Sequence, residues 1–178
     1  MSTNSTTMIK LLRLLGFAAK RPRRKPFKHR YALTEQQPIG EFEAKMVAGM
    51  FRERREVFVT AFCNDEDVLR VTASVGTFNR CRPADDPRRW AHHAGRVGAT
   101  QIRQYHNHPP GKGAEKPSPQ DRRAHRQLVG ILEETACAAE LKSLLVYPDR
   151  FGQAKIIQYD ESDQPHRSSA ADSRRARS

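Results

Sequence analysis

Cysteine is scarce in this chain. The three present, Cys63, Cys81 and Cys137, are odd in number, widely spaced and without a Cys-x-x-Cys pair. That argues against a disulfide framework and against a thiolate metal site, and it fits a reducing, cytoplasmic compartment. Long apolar runs are missing too: none approaches the roughly 20 residues that span a bilayer. No internal repeat is present. Acidic residues are absent from the first thirty positions, which hold nine Lys/Arg.

The net charge of +12 therefore has an address. Residues 1–30 carry +9, and residues 165–178, with four Arg and one Asp, carry +3. Residues 31–164 hold nineteen side chains of each sign. A folded nucleic-acid-binding domain wears a basic face on its own body. This body has no net excess to build one from, unless clustering makes a local patch. Binding to nucleic acid or an anionic surface is accordingly assigned to the basic tails.

At 178 residues the chain has room for one domain with a real core. The expected division is a basic, flexible leader over 1–30, a domain over 31–160 and a disordered tail over 161–178. Within the leader, Met8–Lys20 (MIKLLRLLGFAAK) is apolar with only basic charges. It is open to four readings: a membrane-surface helix, a transit peptide, a partner-binding helix, or a frayed leader before a solvated basic linker.

Pro38–Arg55 spaces Ile39, Phe42, Met46, Val47, Met50 and Phe51 as one face of a helix. Val57–Cys63 is β-branched and aromatic, Asn64–Asp67 is a turn, and Val68–Phe78 resumes strand character. Asp86-Pro87 predicts a capped helix to about Val97, with Trp90 in the core. Thr100–Tyr105 is a strand, and His108–Pro117, with three prolines and two glycines, an irregular loop. Ser118-Pro119 opens a helix to about Ala139. Leu141–Tyr147 and Ala154–Tyr159 form a closing hairpin. This order predicts a mixed α/β layer fold.

Chemistry concentrates in Tyr105–Asp121, YHNHPPGKGAEKPSPQD. Residues two apart on a strand share a face with Cα atoms about 6.5–7 Å apart, so His106 and His108 can aim at one point. Asp121, in the first turn of the following helix, can complete a set of two imidazoles and one carboxylate. Such a set leaves the fourth tetrahedral position of a zinc ion to water, as catalytic sites do. Ser118-Pro119-Gln120-Asp121 also reads as an ordinary capped helix start, and one Asp can serve both purposes. His92, His93 and His125 fall on predicted helices without ligand spacing and read as surface or partly packed residues.

The block His106-Asn-His-Pro, a variable loop, then Ser118-x-x-Asp121 resembles the signature of JAMM (MPN-plus, JAB) zinc metalloproteases, nearest to the prokaryotic JAB and RadC-like branches. Glu56 opening the strand VFVTAFC, and Ser74-Val75-Gly76-Thr77, are similar to further segments of the RadC-like branch. About residues 37–159 can be laid on the family, with a loop before Asp121 slightly longer than that branch has. The resemblance implies a single mixed-sheet domain of cytidine-deaminase-like layering. It also implies one Zn2+ per chain on His106, His108 and Asp121, Glu56 as general base and Ser118 as oxyanion stabiliser. Glu41, Glu43 and Glu53 are the alternative bases. The implied activity is that of an isopeptidase acting on a ubiquitin-like protein or its conjugate. Activating- and conjugating-enzyme-like operon partners, in some cases antiviral, would accompany it. The alternative is a RadC-like or catalytically silent module that binds protein or nucleic acid.

Overall fold

Val57–Cys63 has no polar face to offer water, and it forms the centre of the molecule. In the computed structural model, which describes residues 27–31, 36–108 and 114–161, this segment is strand β3, buried at every position. It runs antiparallel to β4 (Asp67–Val75) on one side and β5 (Gln101–Asn107) on the other. A strand covered on both faces reads as a continuous apolar run rather than an alternating one. Beyond β5 lie β6 (Glu140–Pro148), parallel to it, and β7 (Ala154–Tyr159), antiparallel to β6. Beyond β4 lie β1 (Phe27–Tyr31) and the two-residue β2 (Gln37–Pro38), giving the order β1-β4-β3-β5-β6-β7 with β2 beside β4. The parallel β5–β6 step needs a crossover, and helix α3 (Pro119–Glu134) supplies it. The fold is thus the mixed α/β class expected from the element order.

The two faces of the sheet bury different partners. Helix α1 (Ile39–Arg52) turns Phe42, Met46 and Met50, all fully buried, onto Val57, Val59, Ala61 and Tyr105. On the opposite face Phe58, Phe62 and Ile102 meet Trp90 and Ala94 of α2 (Trp90–Val97) and Leu128 and Leu132 of α3. Each such side chain contributes about 1.5–3 kcal/mol when fully buried. No helix among the described residues is long and apolar enough to cross a membrane.

The structure departs from the sequence reading in four places. Phe27–Tyr31, expected within the basic leader and linker, is an edge strand paired with Val71–Val75. Helix α3 stops at Glu134 rather than near Ala139. Ala136 takes a left-handed φ of 47°, and the chain turns so that the Glu140 amide can donate to Thr100 and start β6 beside β5. Strand β4 ends at Val75, where Gly76 and Thr77 turn the chain. His93 and His125 are buried, whereas His92 is exposed. The segment Met8–Lys20, the tail from 162 onward and loop residues 109–113 lie outside the described residues.

Candidate metal centre

Strand alternation delivers the histidine pair. His106 is the penultimate residue of β5, His108 follows its end, and their rings lie 5.2 Å apart at 63°. Both project to the face covered by α3, while Asn107 between them projects to the α1 face. Asp121 reaches back from the first turn of α3. Its Oδ1 is 3.3 Å from His106 Nε2 and its Oδ2 is 3.2 Å from His108 Nε2. One ligand atom from each residue lies within 4.8 Å of the other two.

These residues fit a zinc ion. His106 is 3% exposed, and its Nε2 makes an ion-pair contact with Asp121 Oδ1 at 3.3 Å but no well-aligned hydrogen bond. A buried ring nitrogen held so loosely is open to a further ligand. Tetrahedral zinc with bonds of about 2.0–2.1 Å separates its ligand atoms by about 3.3 Å, and each histidine nitrogen stands about that far from one of the two Asp121 oxygens. Two nitrogens and one carboxylate oxygen are also the donor set that zinc accepts.

Asp121 is held by the helix start that presents it. Ser118 is the N-cap, with Pro119 at the first helical position. The Ser118 amide and hydroxyl both donate to Asp121 Oδ2 at 2.7 Å, and the Asp121 amide donates to Ser118 Oγ at 3.2 Å. The capping box and the ligand position are therefore the same residues, as the sequence allowed. Burial pushes the Asp121 carboxyl up, but His106, His108 and Ser118 together override it and hold the group well below the usual carboxylate range. Burial opposes a charge on His108, yet the hydrogen bond and charge of Asp121, with Glu56 beyond it, raise its pKa above the ordinary value.

Glu56 is fixed by its backbone on one side and by Asn107 on the other. Its amide donates to Thr77 O, and its carbonyl accepts from the Gly76 amide, both at 2.8 Å. A Cβ on Gly76 would stand 2.0 Å from the Arg80 carbonyl oxygen, so only glycine lets the chain fold back there. That return places Cys81 in hydrogen-bonding contact with Glu56. Asn107 Oδ1 accepts from the Val57 amide at 2.6 Å, while its Nδ2 donates to Met50 O and Arg55 O, each at 3.2 Å. Half-buried Glu56 has its pKa raised by burial; Cys81, His106 and His108 oppose the rise, and Asp121 adds to it. Its carboxylate is thus near enough to sense all three candidate ligands.

The alternative bases are engaged elsewhere. Glu41 pairs with Lys45, and Glu53 with Arg55 at 3.0 Å. Glu43 accepts from Arg103 at 2.6 Å and from Tyr105 at 2.7 Å. Asn107 and Cys81 are components that sequence reasoning missed. Asn107 had a visible signal: the middle residue of His-x-His must face away from the metal. Cys81 had none, because its return to Glu56 depends on the turn at Gly76.

Residues 37–137, more than half of the chain, match the family model of a RadC-like JAB domain. No curated protein matches the chain.

Proposed function

Because the chain belongs to the RadC-like JAB domain family, we propose that it is a zinc-dependent isopeptidase that removes or processes a ubiquitin-like protein, within a bacterial conjugation or antiviral system. The observation carrying this reading is the convergence of buried His106 Nε2, His108 and Asp121, one ligand atom from each within 4.8 Å of the others, beside a half-buried Glu56. Zinc held by these three residues would supply Lewis acidity toward a water and a peptide carbonyl. Glu56 takes the proton from the attacking water and passes it to the leaving amine. Burial moves its carboxyl toward neutrality, where a base does this best. Ser118 gives its proton to Asp121 Oδ2 here, so duty at the oxyanion requires its hydroxyl to rotate.

The surroundings suit a protein substrate. Among the described residues Phe78 and Phe151 are the exposed large apolar side chains, at 67% and 73% exposure. They sit on the loops after β4 and between β6 and β7, at the end of the sheet that carries His106. The intervening strands β3 and β5 put these loops on either side of the metal centre, about 15 Å apart at 4.8 Å per strand. Exposed Arg54, Arg80, Arg82, Arg123 and Arg150 stand at the same end; exposed Asp65, Glu66, Glu133, Glu134 and Glu140 stand at the other. The neutral body is therefore polarised, and its metal-bearing end favours an acidic partner. An extended chain end laid along the strands reaches the centre more readily than a folded segment.

The test is incubation of zinc-loaded protein with a linear fusion of the gene-neighbouring ubiquitin-like protein, read by mass spectrometry. One cut directly after its terminal residue is expected, abolished by chelation and by Glu56→Gln, which keeps its zinc. No cut, or equal degradation of casein, refutes the reading and favours a catalytically silent RadC-like module.

A further inference from the structure

A row of buried polar side chains crosses the sheet directly beneath the metal centre. In register across four strand pairings stand Thr72, Thr60, Gln104, Ser143 and Tyr159, on β4, β3, β5, β6 and β7. None is more than 2% exposed. Five polar side chains in an otherwise apolar layer are costly unless they are paired. The two at the β4 end are not paired: Thr60 Oγ1 and Thr72 Oγ1 have no partner. The three at the β7 end are joined, and they lead to His106.

Following one proton fixes the direction of that chain. Ser143 Oγ donates to Gln104 Oε1 at 3.2 Å. A hydroxyl has a single proton, so Ser143 can only accept from its other neighbours. His125 Nδ1, at 2.8 Å, must therefore carry a hydrogen and donate to it. Tyr159 is the cross-strand partner of Ser143 and in hydrogen-bonding contact with it, and with the Ser143 proton on Gln104 it can give its own proton to Ser143. In that arrangement the Tyr159 oxygen keeps lone pairs facing His106 Nδ1 at 3.5 Å. The two rings stand edge to face, 5.8 Å apart at 87°, which leaves the imidazole little freedom to turn.

From this we infer that Tyr159, Ser143 and His125 are positioning residues for the metal. They keep a hydrogen on His106 Nδ1 and so leave the Nε2 lone pair free toward His108 and Asp121. A histidine ligand whose second nitrogen donates to a fixed acceptor is held in one tautomer and one orientation, and loss of that acceptor weakens metal binding about 10- to 100-fold. Tyr159 and Ser143 both lie beyond residue 137, where the family match ends. Sequence comparison of the signature alone would not reach them. The inference rests on the metal-centre reading but not on any substrate.

The experiment is a zinc dissociation constant measured by chelator competition, with the visible spectrum of the cobalt-substituted protein as a second readout. Tyr159→Phe and Ser143→Ala are expected to weaken zinc about 10- to 100-fold and to alter the cobalt spectrum. Ser143→Thr, which keeps the hydroxyl, restores binding. Thr72→Val, in the same row but away from His106, leaves it unchanged. Wild-type zinc affinity in both Tyr159→Phe and Ser143→Ala overturns the relay and leaves the metal centre standing; a wild type that binds no zinc overturns both. Should the variants fail to fold, nitrogen-15 NMR of the zinc-loaded wild type decides. A protonated, exchange-protected His106 Nδ1 is expected, and a bare or metal-bound Nδ1 refutes the inference.

Discussion

Asn107 offers the sharpest test of how the site is assembled. Its carboxamide has one acceptor and two donors in use, and they tie the chain on both sides of Glu56 to β5. In Asn107→Ala the buried Val57 amide loses its partner. An unsatisfied buried donor costs about 1–3 kcal/mol. Met50 O loses less, because it also accepts from the Glu53 amide at 3.1 Å. With the void left by the side chain, the expected loss is about 3 kcal/mol of stability, or about 10 °C in Tm for a body of this size. Asn107→Asp should be at least as costly, since it sets an acceptor against two carbonyls. Its carboxyl pKa rises on folding, so the deficit is full above that raised value and shrinks as pH falls toward the unfolded value of about 3.9. Zinc content should stay near wild type in both variants, because Asn107 faces α1 and the ligands face α3. The assay is urea unfolding of zinc-loaded protein, with metal quantified alongside. An Asn107→Ala protein within about 0.5 kcal/mol of wild type, the scatter of a surface substitution, would refute the account.

Elemental analysis should find about one zinc per chain in the wild type and loss of it in His108→Ala and in Asp121→Ala; equal zinc in wild type and His106→Ala/His108→Ala disproves the site. Relative to His108→Gln, metal-free wild type should lose stability as pH rises from about 6 to 8, while His93 and His125, both lowered by burial, act in the opposite sense in both proteins. Asp121, held low by its histidine and serine partners, is charged throughout that window, whereas His108, raised above its ordinary 6.5, gives up the proton that pairs with it. The same slope of Tm against pH in wild type and His108→Gln contradicts this. Removal of residues 1–26 takes away seven Lys/Arg and should leave fold and zinc intact while weakening any salt-sensitive binding to nucleic acid. Removal to residue 31 deletes β1 and should lower Tm; equal stability of the two truncations would show that β1 contributes nothing.

Much of the molecule was legible in the sequence because local rules and tertiary structure agree. The apolar stripe of Phe42, Met46 and Met50, the unbroken β-branched run of β3 and the caps at Asp86 and Ser118 each determine an element without help from the rest of the chain. His-x-His on a strand determines a shared face by alternation alone, and an N3 carboxylate determines which way Asp121 points. What only the tertiary structure decided is pairing between segments remote in sequence. Basic Phe27–Tyr31 reads as linker until it finds the open edge of β4. Helix α3 has no strong stop signal at Glu134, and it ends there because Glu140 must begin beside Thr100. Glu56 lies in a charged run that looks solvated, and Gly76, Cys81 and Asn107 hold it half-buried beside the candidate metal ligands. His125 and Tyr159 look like ordinary helix and strand residues, and helix packing for the one and cross-strand register for the other put their hydrogen bonds behind His106. Alternation and capping act over two to four residues, so one sequence shows them; register joins positions tens of residues apart, and only the folded sheet brings them into contact.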